Sequence, residues 1–316
     1  MGAKTPEVTL VVVTYNSAPL LPGFFTALPS ALADVAGYEV VVADNASCDE
    51  SPALVAELEP EATVIRMDRN GGYAAGINAG IARASQSSRA VLVCNPDLRL
   101  HPGSVRLLLD ELASPAVGIV VPRLLEADGR LALSLRREPN ILRALGEALL
   151  GGNRAGWFAP LGEVVSAPHT YERPGNADWA CGAMMLISRR CLERVGPWDE
   201  SFFLYSEETD FALRARDAGF ELRYVPDAAA THLGGERHTS AHLWALLTVN
   251  RVRLYSRRHG LARTAAFWGV VTLNEALRAL AGRAVHRAAL GALLRPRLWA
   301  DKPDQPGQRM RQWATP

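Results

Sequence analysis

Five short apolar runs divide the first 121 residues of the chain, at residues 7–14, 38–43, 62–66, 90–94 and 118–121. Each run is continuous and apolar, which is typical of strands buried on both faces of a parallel sheet. Helical patterns separate them at residues 19–32, 51–58, 73–84 and 102–113. This alternation predicts an α/β fold with a doubly wound, mainly parallel sheet, in which ligands bind beyond the carboxyl ends of the strands.

The second half of the chain has a different pattern. A helix is predicted at residues 140–149, and the glycine- and proline-containing stretch 151–176 predicts a long irregular segment, of the kind that is usually functional or mobile. Order is predicted to resume at 179–188, followed by a strand-like 201–205, a helix at 207–218 and a further run at 221–225. Residues 241–300 are helical, basic and amphipathic in pattern, and the polar residues 301–316 predict a disordered tail.

Polar clusters follow four of the predicted strands at the points where the strands end. They are Tyr15-Asn16, Asp44-Asn45, Asn70-Gly71-Gly72 and Asn95-Pro96-Asp97. We expect all four on one rim of the sheet, where parallel strands end. The Asp44 cluster could hydrogen-bond a pyrimidine edge or simply form an Asx turn. The glycines after the third strand open a helix whose N-terminus favours phosphate, or they form a tightly packed turn.

Two residues are candidates for a metal site. Asp97 offers a carboxylate to a hard divalent cation such as Mg²⁺ or Mn²⁺, which neutralises the charge of a diphosphate, although Asn-Pro-Asp is also ordinary turn chemistry. His232 would complete such a site if it lay near Asp97, but a lone histidine more often has no such role.

A cluster of acids, Glu207, Glu208 and Asp210, begins the helix at 207–218, which Ser206 could cap. Acids in a first turn suit the helix dipole whatever the function. The preceding aromatic residues could instead raise the pKa of one carboxyl and prepare a general base. In a regular helix Glu208 and Asp210 point to nearly opposite sides, so a single one of them can face a substrate.

The net charge of +1 conceals a strong asymmetry, since residues 241–300 contain ten arginines and one acid. The basic segment could be a solvated face of helices that pack on the remainder, or it could contact anionic lipid. Nucleic acid is not expected, because no recognised binding motif accompanies the charge. The four cysteines show no CxxC pair, and no apolar run reaches the ~20 residues that span a bilayer. We therefore expect a cytoplasmic protein, peripheral on the inner face of the cell membrane if it meets a membrane.

Seven ordered blocks together resemble glycosyltransferase family 2, and within it the bacterial rhamnosyltransferase-like branch. They are VVVTYN (11–16), ADNAS (43–47), NGGYAAGIN (70–78), NPD (95–97), WACGAMMLISR (179–189), GPWDESFFLYSEETDFALRARDAGF (196–220) and YVPDAAATHLGG (224–235). The resemblance implies a GT-A-type fold for residues 1–240, with a nucleotide-binding half at 1–100 and an acceptor and catalytic half at 179–240. Residues 241–300 would form a basic helical extension.

The resemblance also implies a role for each candidate residue. The nucleotide would be lined by Thr14, Tyr15, Asn16 and Asp44, and the diphosphate and sugar by Asn70, Gly72, Asn78 and Asn95. The divalent metal would be held by Asp97 and His232, and the acceptor side would include Trp179, Gly182, Ala183 and Trp198. Glu208 falls where this branch usually has the aspartate proposed as catalytic base, so Glu207 or Asp210 could be the base instead.

The implied reaction is transfer of a sugar, with inversion, from a nucleotide-diphosphate donor to a hydroxyl of a glycan or polyprenyl-linked acceptor. The resemblance favours dTDP-L-rhamnose as the donor, with a UDP-hexose or UDP-galactofuranose as the alternative. A catalytically inactive nucleotide- or carbohydrate-binding module is the alternative of a different class, which the glutamate at position 208 motivates.

Overall fold

The computed structural model of the chain describes residues 5–234 and 240–295. In its first part, strands and helices alternate as the apolar pattern predicts. The elements are β1 Val8–Thr14, α1 Leu21–Ala31, β2 Tyr38–Asp44, α2 Ser51–Leu58, β3 Thr63–Arg66, α3 Tyr73–Arg83, β4 Ala90–Cys94, β5 Leu98–Leu100, α4 Ser104–Glu111 and β6 Val117–Glu126.

The second part is less regular and ends in three long helices. Its elements are β7 Leu135–Arg136, α5 Ile141–Leu150, α6 Gly152–Ala155, β8 Gly175–Ala177, β9 Trp179–Ala180, β10 Met184–Ser188, α7 Arg189–Val195, α8 Glu207–Asp217, β11 Glu221–His232, α9 Ala241–Arg258, α10 Leu261–Leu280 and α11 Ala284–Leu293. Short 3₁₀ helices lie at Pro168–Tyr171 and Glu200–Phe202.

Nine of the eleven strands in the described residues form one sheet with the order β3-β2-β1-β4-β10-β6-β11-β5, in which β8 pairs with β11, and β7 and β9 form a separate two-stranded sheet. The pairs among β3, β2, β1 and β4 are parallel, as is the pair of β6 with β11. β10 is inserted between β4 and β6 and runs antiparallel to both. The prediction of a mainly parallel sheet is confirmed, and the reversed β10 brings the turn before it to the rim where β1, β2 and β4 end.

Helices cover both faces of this sheet and bury two apolar clusters. One cluster packs α1 and α4 on the sheet through Phe24, Leu28 and Leu108. The other packs α3, α7 and α8 on the opposite face and includes Ile77 and Phe211. A third cluster joins α5 to α9, α10 and α11, so the C-terminal helices are built onto the catalytic fold.

Two local predictions are wrong. Residues 201–205 are not a strand, because the side chain of Asp199 accepts a hydrogen bond from the Ser201 amide and starts the 3₁₀ helix Glu200–Phe202. Ser206 does not cap α8 with its side chain, since it adopts a left-handed backbone conformation with φ 76°.

The irregular stretch 151–176 is attached to the body of the protein. Tyr171 is buried, its hydroxyl donates to the Val165 carbonyl at 2.9 Å, and it accepts from the Leu135 amide at 3.0 Å. Glu163 forms an ion pair with Arg251 of α9 at 2.5 Å. These contacts give the stretch a structural role that composition did not indicate.

The arginines of α9 bond to other parts of the protein. Arg251 also pairs with Glu147 of α5 at 2.7 Å, and Arg253 donates to the Ser201 carbonyl at 2.7 Å. Arg257 pairs with Asp199, and Arg258 pairs with Asp217 at 2.7 Å. Three of the ten arginines in residues 241–300 therefore pair with acids elsewhere in the protein, and Arg253 is buried, whereas Arg257 remains exposed. The predicted tail at 301–316 lies outside the described residues.

None of the described helices is long and apolar enough to cross a bilayer. All four cysteines are free thiols.

Candidate active site

The ends of β1 and β2 meet in a hydrogen-bonded corner. Thr14 lies opposite Asp44 in the sheet, and its hydroxyl donates to Asp44 Oδ1 at 2.8 Å. The Ser47 amide donates to Asp44 Oδ2 at 2.9 Å, and its hydroxyl donates to Oδ1 at 2.5 Å. Asp44 is buried and forms an Asx-type turn with Ser47. The Asx turn predicted for this cluster is therefore present, and a contact between the carboxylate and a nucleotide base stays a prediction.

Tyr15 and Asn16 border the same corner on its exposed side. Tyr15 is 46% exposed. Asn16 adopts a left-handed backbone conformation with φ 49°, and its side-chain oxygen accepts from the Cys48 amide at 2.8 Å. The predicted nucleotide residues thus lie together at one point of the rim.

The glycine turn before α3 supports the loop that leads into α8. Asn70 Oδ1 accepts from the Gly72 amide at 3.0 Å, and Gly72 has φ +91°. A side chain at Gly72 would clash with the Phe203 backbone, and the Tyr73 amide donates to the Phe203 carbonyl at 2.8 Å. Glycine is required here by both the backbone angle and the close approach.

Asp97 and His232 are brought together by strand pairing. β5 runs antiparallel to β11 with Leu98 opposite His232, so the residue before Leu98 lies beside the imidazole. His232 Nε2 is 3.2 Å from Asp97 Oδ2. Gly234 lies so close to the carboxylate that a side chain there would clash with Asp97 Oδ2. The predicted spatial neighbourhood of the two residues is correct.

These two residues suit a divalent cation. Asp97 Oδ1 is buried and accepts no hydrogen bond from any described residue. One carboxylate and one imidazole are a sound donor set for Mn²⁺, or with more water for Mg²⁺, when diphosphate oxygens complete the shell. The described residues contain no group of three or more metal-capable side chains, so the ligand itself would have to supply the other contacts.

The three acids of α8 have different surroundings. Glu207 is 1% exposed, and its Oε2 has no hydrogen-bond partner among the described residues. Burial, together with the nearby charge of Glu208, raises the pKa of Glu207 well above its ordinary value. Asp210 is paired with Arg214 at 2.7 Å. Glu208 is the partly exposed member of the three, so it is the one that a substrate can reach.

Glu208 lies beside the turn that precedes β10. A Cβ atom placed on Gly182 would be 3.1 Å from the Glu208 Cβ and 3.4 Å from its Cγ, so glycine leaves room for the first part of the Glu208 side chain. The Tyr73 hydroxyl donates to the Gly182 carbonyl at 3.1 Å. The Asn95 amide donates to the Ala183 carbonyl at 2.9 Å, which joins the turn carrying Asp97 to the turn beside Glu208. The metal candidate and the base candidate therefore share one rim.

The predicted acceptor residues divide into two groups. Gly182 borders Glu208, and Trp179 is partly exposed with its indole N–H donating to the Arg137 carbonyl at 3.0 Å. Ala183 and Trp198 are each only 2% exposed. Their side chains cannot face an acceptor, because they belong to the apolar core beneath the rim.

Asn78 fixes Trp198 in that core. Its amide nitrogen donates to the Trp198 carbonyl at 2.9 Å, and its oxygen accepts from the Trp198 amide at 2.9 Å. The indole ring stacks on Phe211 with centroids 4.6 Å apart. Both polar atoms of the Asn78 side-chain amide are already hydrogen-bonded to Trp198. A contact between Asn78 and the nucleotide-sugar donor therefore stays a prediction.

One residue of the site environment was missed by sequence reasoning. Asn250 of α9 donates through Nδ2 to the carbonyls of Phe202, Leu204 and Tyr205 at 2.8, 2.9 and 3.2 Å. The loop it holds contains Phe203, Tyr205 and Ser206 with positive φ. A single asparagine in a basic amphipathic helix carries no sequence signal for such a role.

A family model for glycosyl transferase family 2 matches residues 9–195, and one for glycosyl transferase family group 2 matches residues 153–273. The N-acetylglucosaminyl-diphospho-decaprenol L-rhamnosyltransferase of Mycobacterium tuberculosis is 30% identical over 279 residues, which is 84% of this chain and 89% of the relative. The chain belongs to glycosyltransferase family 2. A low-salt glycan biosynthesis hexosyltransferase of Haloferax volcanii is 28% identical over 228 residues, covering 72% of this family 2 chain and 67% of the relative.

Solved structures support the fold assignment for this glycosyltransferase. A mannosyltransferase of Pyrobaculum calidifontis, in complex with GDP-Man and Mn²⁺, has a TM-score of 0.60 at 18% identity and covers 94% of this chain and 88% of that one. The S. aureus TarS 1–349 structure has a TM-score of 0.51 at 15% identity, covering 92% and 91%. The predicted GT-A-type fold is confirmed.

Proposed function

We propose that this family 2 glycosyltransferase transfers L-rhamnose from dTDP-L-rhamnose, with inversion, to a hydroxyl of a lipid-linked glycan. We also propose that this transfer depends on a divalent metal. The observation that supports metal dependence is the Asp97–His232 pair at 3.2 Å, in which one buried Asp97 oxygen has no hydrogen-bond partner among the described residues. The donor and acceptor classes are supported by the 30% identical relative, whose name specifies an L-rhamnosyltransferase acting on N-acetylglucosaminyl-diphospho-decaprenol. Such an acceptor resides in a membrane, which supports action at the inner face of the cell membrane.

In this mechanism different residues of the rim bind the metal, the nucleotide and the phosphates. Asp97 and His232 would hold a divalent cation, which supplies positive charge to the diphosphate leaving group. The Tyr15 ring and the Thr14–Asp44 corner border the space for the nucleotide. The Asn70–Gly72 turn keeps the helix N-terminus of α3 close to the phosphates.

Glu208 acts as the general base. It removes the proton of the acceptor hydroxyl while that oxygen attacks the anomeric carbon from the side opposite the diphosphate. Asp210 is neutralised by Arg214, and Glu207 is enclosed and favours its neutral form, so neither competes well for this role. Gly182 leaves space beside the Cβ and Cγ atoms of Glu208, the glutamate that replaces the aspartate usual in this branch.

The test is calorimetric binding of dTDP, UDP and GDP, each with Mn²⁺ or Mg²⁺ and then with excess chelator. We expect metal-dependent binding that prefers dTDP, and we expect Asp97→Asn to lose the metal dependence. The matched control is Asp110→Asn, an exposed aspartate of α4 that pairs with Arg106. A preference for UDP would move the donor to a UDP-hexose or UDP-galactofuranose, and no binding by any nucleotide would favour an inactive module.

A further inference from the structure

Helix α10 presents its apolar side to solvent. Leu261 and Leu280, at its two ends, are 91% and 85% exposed, and Leu273 and Leu277 are each 44% exposed. The helix positions between them on this side are also small or apolar and exposed: Ala262, Ala265, Ala266 and Gly269. Residues spaced by three and four lie on one face of a helix, so these form a continuous stripe. We call this stripe the α10 face.

Two charged residues near the end of α10, Glu275 and Arg278, are directed toward neighbouring helices. Glu275 is buried, and its carboxylate accepts from the Trp244 indole at 3.0 Å and contacts His286 Nδ1 at 2.7 Å. Arg278 donates to the Glu147 carbonyl at 3.0 Å. This arrangement is the reverse of an ordinary surface helix, whose polar side faces water. The inward polar groups are satisfied, so the orientation of the helix is specified by its own contacts.

The end of α5, which lies next to the end of α10, is also apolar and exposed. The Arg278–Glu147 hydrogen bond joins the last turns of both helices. Leu149 and Leu150 at the end of α5 are 66% and 44% exposed. A larger exposed apolar patch of this kind marks an interaction site.

The exposed charged residues within 240–295 are all positive. Residues 240–295 contain one acid, the buried Glu275, while Arg263, Arg283 and Arg287 are exposed. Arg263 lies in the first turn of α10, and Arg283 follows its end. A second copy of the chain docked face to face would bring arginines against arginines. An apolar stripe with basic residues at its margins instead complements an anionic lipid surface.

We propose that the α10 face docks the enzyme on an anionic bilayer, with α10 lying in the plane of the interface. Leu273, Leu277 and Leu280 enter the boundary between headgroups and acyl chains, and Arg263 and Arg283 meet lipid phosphates. This inference rests on the proposed lipid-linked acceptor for its setting, but its evidence is the surface itself. It also differs from the expectation that the α9 arginines bind lipid, because those arginines bond to other parts of the protein.

The test is co-sedimentation of the full chain with vesicles of phosphatidylcholine alone or with about one third phosphatidylglycerol. We expect binding to the anionic vesicles and an apparent affinity at least about tenfold lower for the double variant L273E/L277E. The matched control is L107E, the same change at a 39% exposed leucine of α4, which should bind like the wild type. R263E/R283E should reduce the preference for phosphatidylglycerol.

Binding of L273E/L277E at the wild-type level, or no binding by the wild type, would overturn the proposal. A dimer that L273E/L277E dissociates, without vesicle binding, would assign the face to a second copy and also overturn it. Donor binding is measured by calorimetry without vesicles, so failure of the lipid proposal and failure of the proposed transferase reaction give different results.

Discussion

Replacing Asn250 by leucine should slow the reaction by loosening the loop that carries Glu208. The amide has two hydrogens for three carbonyls, so the change removes two neutral hydrogen bonds at about 1 kcal/mol each. The Phe202 carbonyl keeps its bond from the Leu204 amide, whereas the part-buried carbonyls of Leu204 and Tyr205 lose this donor, which costs about 1 kcal/mol more. The total is about 3 kcal/mol. The three loop residues with positive φ cost about 1–2 kcal/mol each, or about 3–6 kcal/mol together.

The two magnitudes decide the outcome. The free energy of the lost hydrogen bonds is comparable to the free-energy cost of the positive φ angles in the loop. Without those bonds, the loop backbone should therefore relax towards negative φ angles. The bond from the Tyr73 amide to the Phe203 carbonyl remains and keeps the loop attached. A displacement of Glu208 by about 1 Å can lower kcat by about 10²-fold, and we expect a loss of this order. Nucleotide binding should change little, because Asn250 contacts none of the residues proposed to hold the donor.

The assay is turnover of the proposed donor and acceptor, with donor affinity and thermal unfolding measured on the same samples. The matched control is Thr248→Val, a buried position on the same helix whose hydroxyl donates to the Trp244 carbonyl at 2.8 Å and does not touch the loop. Normal kcat in Asn250→Leu despite lower stability would refute the reasoning. So would an equal loss of kcat in Thr248→Val.

Three further changes test the site. Glu208→Gln should bind nucleotide normally and lower kcat by at least about 10²-fold in turnover assays, since the amide cannot accept the acceptor proton; near-normal turnover would reassign the base. His232→Ala should weaken metal-dependent nucleotide binding in calorimetry, and unchanged affinity would remove His232 from the metal site. Glu207→Gln should flatten the dependence of stability on pH. Because the folded-state pKa of Glu207 is raised, its stabilising contribution is present below its ordinary pKa and is lost as pH rises through the folded value. Thermal unfolding should therefore show the wild type falling relative to the variant as pH rises, and parallel curves would contradict this.

The first half of the fold was predictable because its apolar runs are buried on both faces. In β1 and β4 each residue is buried, and the pattern identifies such strands directly. The direction of β10 was not predictable, since an apolar run carries no information about which neighbour it pairs with. That direction matters, because it brings Gly182 beside Glu208.

Parts of the site were predictable for a similar reason. Asp44 and Asp97 follow strands, and strand ends fix positions on the rim. His232 was assigned to the metal site by resemblance, and the pairing of β5 with β11 supplies the physical reason for its nearness to Asp97. Trp198 was misjudged, because a sequence motif does not distinguish a ring that faces a ligand from one that supports the site from below.

For the C-terminal helices, the pattern of charge and hydrophobicity is not sufficient to predict the orientation of each helix. Both α9 and α10 are amphipathic, and the sequence does not say which side faces the protein. In α9, Arg251 pairs with Glu147 and Glu163, and Arg257 pairs with Asp199. In α10, Glu275 faces inward, which leaves an apolar stripe outside with the exposed Arg263 at its margin. The same segment therefore holds the loop before α8 through Asn250 and presents the α10 face to its surroundings, so a lipid surface bound to that face would be separated from the proposed base Glu208 by α10 and α9. We therefore expect the acceptor to reach the site from the surface on which α10 rests. Truncating residues 241–295 should remove both the support of the loop before α8 and the docking surface.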